Sequence, residues 1–458
     1  MAGCAHYQAN PVSAEQNAVA LDSRSLAAPG LRDFIQKNLH REGAAWPPPQ
    51  WDFELLTMAA FYYHPDLEVA RAEWGVAQAG IETAGARPNP SVTLAPGLNF
   101  NHINAAPGLS PWIPVASFDV PIETGGKRGK RIAQAERLSE SARLNIAATA
   151  WQVRAKVRAS LLDLAAAQQR QALLREQVSM QEQIVRLMEQ QVQAGATAAS
   201  EVVTFRIAVQ KSRLDLADTE RQQAEARAAL AESVGVPLTA FKEVTLQTTL
   251  AETAPAELTT AEIRRQALTG RVDILAALSD YAAAEAALQL EIARQYPDVH
   301  FGPSYQFDQG DNKWNLGLTV ELPVLDQNKG PIAEAKARRA AAAARFNALQ
   351  AKVLADIDST VESYRATETN LTMIEDLAVT QARARDAIAG QVNAGAAAPL
   401  DLLSARLEYA VADLGRLEAR LKRQESLAAI EDAVQRPIEL ITPAVIETSP
   451  RAGQEKKP

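Results

Sequence analysis

The residues best suited to chemistry are few and scattered. The five histidines, His6, His40, His64, His102 and His300, include no pair at the helical spacing that would bring two imidazoles onto one metal ion. The five methionines do not cluster. A single cysteine, Cys4, excludes an internal disulfide framework and a cysteine-built zinc site. It follows Ala2-Gly3, as at the end of a lipoprotein signal, where acylation of the thiol would anchor the chain to a membrane leaflet. The hydrophobic stretch of such a signal is not present ahead of it, which points to a truncated or misplaced start; the anchor is the favoured reading and an incidental thiol the alternative. The run GGKRGKR at 125–131 has the glycines and cations of a phosphate loop. It lacks the GxxxxGK[ST] spacing and a buried parallel strand before it, and reads as a strand-to-helix hinge. No nucleophile–base pair or carboxylate dyad stands out. The expectation is a protein that is not an enzyme, holds no structural metal and needs no cofactor.

Composition narrows the class further. The chain has 458 residues, 55 acidic against 47 basic, for a net charge of −8. An acidic chain without a basic stripe is a poor partner for nucleic acid. Apolar residues make up 47% but aromatics only 5%, which suits closely packed helices rather than a wide core. No run of 18 or more uncharged apolar residues occurs, so no transmembrane helix is expected. Transmembrane strands, being shorter and only half apolar, are not excluded.

The elements that must position any site come as an internal duplication. VQAGATAASEVV at 192–203 matches VNAGAAAPLDLL at 392–403. At the same offset of 200, Arg206 meets Arg406, Leu214 meets Leu414, Glu225 meets Glu425, and Ile132 meets Ile332. Nearer the start of each half the offset is 207, pairing Asp66 with Asp273 and Pro90 with Pro297. Each half reads as an amphipathic helix (51–86 and 257–294), two extended segments, a very long helix, a Gly-Ala turn near 195 or 395, and a second long helix. Proline is absent between 121 and 237 and between 331 and 399. A helix over 127–194 would be about 100 Å long. Val157, Leu164, Gln171, Val178, Val185 and Val192 recur every seven residues, as do Ile357, Tyr364, Leu371, Ala378, Arg385 and Val392. This predicts coiled-coil-like packing with polar interruptions.

The extended segments carry the sharpest signal. Strands are expected at about 90–101, 112–122, 298–308 and 313–323. Val92, Leu94, Leu98 and Phe100 alternate with small or polar residues; so do Trp112, Phe118, Val120 and Ile122. The same holds for Val299, Phe301, Tyr305 and Phe307, and for Trp314, Leu316, Leu318 and Val320. Period-two alternation gives one apolar and one polar face. A soluble sheet shows the same pattern. The 9–11-residue lengths, however, match a transmembrane strand, and Phe100, Trp112, Phe301, Phe307 and Trp314 could form interfacial aromatic girdles. Four strands cannot close a barrel, and open edges are not tolerated in lipid. Two copies would supply eight strands and three copies twelve; three is the better fit for a tube of six helix pairs.

The order of these features, duplicated over about residues 51–437, resembles the TolC family of outer-membrane efflux channels. The resemblance rests on HPDLEVARAEWGVAQAGIETAGARPNPSV (64–92), the two strand hairpins, and a turn motif that appears twice. That motif is Gly195–Glu201–Val202–Val203 and Gly395–Asp401–Leu402–Leu403. FDVPIETGGKRGKRIAQAE (118–136) is most similar to members of the heavy-metal, cobalt-zinc-cadmium type resistance branch. The resemblance implies a mainly α fold with a β-barrel portion and two repeats of helix–strand–strand–long helix–helix. A homotrimer would form a 12-stranded outer-membrane barrel and a long periplasmic α-helical barrel. It further implies a periplasmic adaptor and an inner-membrane pump as partners, and gated passive conduction of cargo, with heavy-metal cations as the candidate class. Asp401 then falls where three carboxylates would ring the constricted periplasmic end, with Glu201 its first-repeat counterpart; both are also helix N-terminal acids that complement the macrodipole. Gly195 and Gly395, flanked by Val192 and Val392, mark the tip turns and the adaptor-docking surface. Family members often lock the tip with polar side chains, whereas Val392, Ala396 and Ala397 stand here and suggest a hydrophobic plug. The expected organisation is an extended lipoprotein-like segment (1–50), a first repeat (51–237), a linker (238–256), a second repeat (257–437) and a disordered tail (438–458). A periplasmic coiled-coil scaffold without a pore is the competing reading.

Overall fold

The computed structural model describes residues 6–40, 45–100, 110–242, 244–248 and 259–437. Cys4, His102, much of the linker and the tail from 438 lie outside these residues. The described helices are α1 (Ala14–Asp22), α2 (Pro29–Leu39), α3 (Phe53–Tyr63), α4 (Pro65–Gly85), α5 (Lys127–Gln193), α6 (Ala199–Val234), α7 (Thr260–Gly270), α8 (Val272–Ala293), α9 (Lys329–Asn393) and α10 (Pro399–Val434). Four strands, β1 (Ser91–Leu98), β2 (Trp112–Ile122), β3 (Val299–Asp308) and β4 (Asp311–Val320), complete the set. The chain divides into two compact units. One comprises Met1–Glu68, Thr149–Gly270 and Val353–Pro458, the other Val69–Ala148 and Arg271–Lys352. Each unit draws on both repeats.

The helical unit is built on the seven-residue seam. Val157, Leu164, Gln171 and Val178 of α5 are buried, as are Ala167, Leu174 and Gln181, three residues on from the last three, and Met188 further along. On α9, Ile357, Leu371 and Ala378 are buried in the same way. A buried Leu contributes roughly 1.5–3 kcal/mol by leaving water. The polar interruption at Gln171 is satisfied, its amide donating to Glu220 Oε1 of α6 at 3.1 Å. α5 and α9 run unbroken for 67 and 65 residues because neither carries a proline inside its hydrogen-bonding core.

Three expectations change. The helix expected at 51–86 is two helices, broken at His64 (φ −68°, ψ 126°), because Pro65 disfavours a helical residue before it. The helix expected at 257–294 breaks at Arg271 (φ −66°, ψ 129°), the same point at the 207-residue offset. No proline acts there; Gly270 weakens the helix, and the Arg271 guanidinium clamps Asp273 through bonds of 2.6 and 3.0 Å. The N-terminal segment is not extended: Ser13 caps α1, Pro29 opens α2, and Leu26, Leu31 and Ile35 are buried. The linker begins with a 3₁₀ turn, Leu238–Phe241, and Leu246 bridges to the buried Trp51.

In the second unit the strands form one antiparallel sheet in the order β1-β2-β3-β4. β4 starts at Asp311 rather than near 313. Gln309 and Gly310 both take positive φ, and this two-residue turn leaves Asp308 paired directly with Asp311.

Candidate functional site

The two turns joining the long helices are the same device built twice. Gly195 has φ 73° and Gly395 φ 72°. The Gly195 N–H donates to Val192 O at 3.0 Å and the Ala196 N–H to Gln191 O at 2.8 Å. Gly395 to Val392 and Ala396 to Gln391 repeat these bonds at 3.0 and 2.8 Å. This pair of bonds satisfies the last carbonyls of a helix and needs a left-handed residue, which glycine supplies without strain. Val192 and Val392 are half-buried under the turns. Glu201 and Asp401 both lie in the first turn of the following helix and are exposed. They differ in what they hold. Asp401 Oδ2 accepts the Ala398 N–H at 2.9 Å, closing the helix start. Residues close by turn inward: Val202, next to Glu201, and Leu403, two beyond Asp401, are buried with Ile184 and Met188 in one apolar cluster.

The sheet has two chemically opposite faces, aligned strand to strand. Val92 pairs with Phe118, Leu94 with Ala116 and Leu98 with Trp112. Val120 pairs with Phe301, which in turn pairs with Leu318, and Tyr305 pairs with Trp314. One apolar face thus runs across all four strands. It is uncovered: Leu94 is 73% exposed, Trp314 78%, Leu316 70% and Leu318 68%. The other face carries Ser117 against Ser304, Ser304 against Asn315, Gln306 against Lys313 and Gly302 against Gly317. On it the His300 imidazole lies 3.0 Å from Asp119 Oδ2, linking the hairpins of the two repeats. A soluble sheet buries its apolar face; here that face is left bare. Among the five aromatics singled out from the sequence, Phe100, Trp112, Phe307 and Trp314 sit toward the hairpin turns and Phe301 toward the helices. Phe118, read from the alternation as apolar but not counted among the girdle aromatics, is 50% exposed on the same apolar face.

The basic run has no vacancy for a phosphate. Arg128 Nε donates to Gly85 O at 2.6 Å, and Arg131 donates to Ala84 O and Ala86 O at 3.3 and 3.1 Å. These are the last carbonyls of α4 and its exit, a position where cations complement the helix dipole. Lys127 is buried against Asp298, 2.8 Å away, and Lys130 reaches Gln289 Oε1 at 2.7 Å. The run is the strand-to-helix hinge.

Sequence reading missed a buried charge cluster in the helical unit. Glu431 of α10, 3% exposed, is held by Arg154 (2.9 Å) and Arg158 of α5. Both guanidiniums stack on Phe53, at 4.9 and 4.7 Å, and Trp151 Nε1 donates to Asp432 Oδ1 at 2.9 Å. Burial, with Arg158 beside it, pushes the Arg154 pKa down, and burial pushes Asp432 up. Nothing in a linear pattern joins positions so far apart. Among the described residues no group of three or more His, Cys, Asp or Glu could hold a metal, and no helix is long and apolar enough to cross a membrane.

The described chain is mainly helical, with two long helical hairpins and one small antiparallel sheet whose apolar face is bare. The model of the outer membrane efflux protein family matches residues 59–236 and 263–434, and the chain belongs to that family, whose place is the outer membrane. It is 26% identical over 309 residues to the cobalt-zinc-cadmium resistance protein CzcC of Cupriavidus metallidurans, covering 60% of this chain and 73% of the relative. It is likewise 26% identical over 380 residues to the nickel-cobalt-cadmium resistance protein NccC of Alcaligenes xylosoxydans xylosoxydans, covering 79% and 80%. The solved outer membrane protein VceC of Vibrio cholerae shares the fold with a TM-score of 0.69 at 19% identity, covering 84% of this chain and 96% of VceC. The CmeC outer membrane channel of Campylobacter jejuni does so at 0.67 and 14%, covering 94% and 93%.

Proposed function

We propose that this chain is the outer-membrane channel of a tripartite efflux assembly, passively passing what an inner-membrane pump and a periplasmic adaptor deliver. The observation that carries this reading is the bare apolar face of the sheet, opposite a polar face suited to a water-filled lumen. Among the described residues β1 and β4 each have one unpaired edge, so the sheet must close with other copies. Three copies pool twelve strands, with the aromatic residues Phe100, Trp112, Phe118, Phe301, Phe307 and Trp314 at the lipid boundary. A pore-free scaffold would have to cover that face with side chains of its own. Cys4, if acylated, adds a lipid anchor. The turns at Gly195 and Gly395, with Val192 and Val392, offer the adaptor its docking surface. Heavy-metal cations are the cargo class, on the strength of the resistance proteins it resembles.

Asp401 gates the periplasmic mouth, with Glu201 in support. Three like carboxylates held close repel one another and favour cations in the constriction. Asp401→Asn is the clean test, since the amide oxygen still accepts the Ala398 N–H while the charge is gone. In planar bilayers it is expected to lower cation preference and to favour the closed state. Unchanged conductance and ion selectivity would remove the gate assignment.

A further inference from the structure

We infer that the tip end of α10 is latched to the first hairpin by apolar packing around Leu403, and that this latch, rather than an ion pair, holds the Asp401 mouth closed. The inference rests on the gate reading above. Ile184 and Met188 of α5, Val202 of α6 and Leu403 of α10 are 2, 4, 4 and 8% exposed and form one cluster. Val192 and Phe205 pack on it from the first hairpin, Leu400 and Leu407 from α10. Leu400, Leu403 and Leu407 share one face of α10, at i, i+3 and i+7. Asp401 lies within that turn, so what moves the face moves the carboxylate.

The latch is one-sided. α9 contributes nothing to the cluster. At the 200-residue offset Ile184 becomes Ala384, which is exposed, and Met188 becomes Ile388, which is only half-buried. The second hairpin therefore has little apolar core of its own near its tip and borrows that of the first. Among the described residues, the polar side-chain contacts of 399–412 stay within the second hairpin. Asp401 holds Ala398, and Arg385 stacks over Tyr409 at 4.5 Å, tying α9 to α10. Among the described residues the ion pair between α10 and α5 nearest this tip, Arg170–Glu418 at 3.6 Å, lies about four turns further along α10. Released at Leu403, α10 carries α9 with it. Salt screens exposed ion pairs but leaves apolar contacts in place, so this closed state is set apart from one held by charges.

Single-channel recording tests the latch. Leu403→Asn, and Val202→Asn from the opposite helix, are expected to raise open probability on the order of tenfold or more. Leu403→Met, which keeps apolar volume, and Val203→Asn at the exposed neighbouring position are expected to behave as the unaltered channel. Raising KCl from about 0.1 to about 1 M is expected to leave closure of the unaltered channel intact. If Leu403→Asn fails to insert, Leu403→Ala reads the same contact and is expected to show a smaller rise of the same sign. Variants at Leu403 and Val202 that gate like the unaltered channel, while Asp401→Asn changes selectivity, would overturn the latch and leave the gate standing. A protein that conducts in no form would overturn both.

Discussion

At the residue scale the two repeats solve the same bend with different chemistry. His64 is buried at the break between α3 and α4, its Nδ1 3.3 Å from the Asp66 N–H. Burial lowers its pKa, Lys156 and Arg24 reinforce the shift, and Asp66 and Glu232 oppose it. The folded protein therefore prefers the neutral ring. Stability from this site is complete above the unfolded value near 6.5 and is lost as the pH falls from there toward the lower folded value. The equivalent position in the second repeat is Arg271, whose guanidinium binds Asp273 at 2.6 Å. His64→Gln is expected to flatten the fall in melting temperature between about pH 7.5 and pH 5; an unchanged slope would place the titration elsewhere. The Glu431 cluster gives a larger effect. Glu431→Ala strands two guanidiniums in a buried setting and is expected to cost roughly 3–5 kcal/mol, read from denaturant midpoints. A loss below about 1 kcal/mol would mean that water reaches Arg154 and Arg158.

At the scale of elements the sheet is the informative part. Its alternation could be read from the sequence because a strand's period of two maps residue identity directly onto faces. Whether the apolar face is covered could not, since covering groups come from elsewhere in the chain or from outside it. The two faces of β4 make this testable. Leu316→Arg, on the bare apolar face, is expected to cost about 2–4 kcal/mol if that face meets lipid near the membrane midplane. Asn315→Arg, one residue away on the polar face, is expected to be tolerated. The yield of heat-resistant oligomer from detergent-extracted outer membranes reports both. Equal yields would argue against lipid on the apolar side. The hinges show the opposite limit. Arg128 and Arg131 look like a phosphate loop in one dimension because their partners, the carbonyls of Ala84, Gly85 and Ala86, are more than forty positions away. The His64 break was legible from Pro65; the Arg271 break carried no proline to announce it.

At the scale of the molecule, open strand edges and a bare apolar face both require company. Extracts in mild detergent are expected to yield a stable three-copy assembly by light scattering, and a monodisperse single chain would remove the barrel. The duplication, the seven-residue seam, the two glycine turns and the alternating strands were all determined by the sequence alone, because each depends on local periodicity or on one residue's backbone preference. Tertiary structure alone decided the rest. It turned Asp401 into a cap as well as a candidate gate, brought Leu403 of one repeat into the apolar core of the other, paired Glu431 with Arg154 and Arg158, and left Leu94, Trp314, Leu316 and Leu318 uncovered. These features are set by contacts between residues far apart in the chain, whose energies depend on burial and distance, and neither quantity is written in the order of the amino acids.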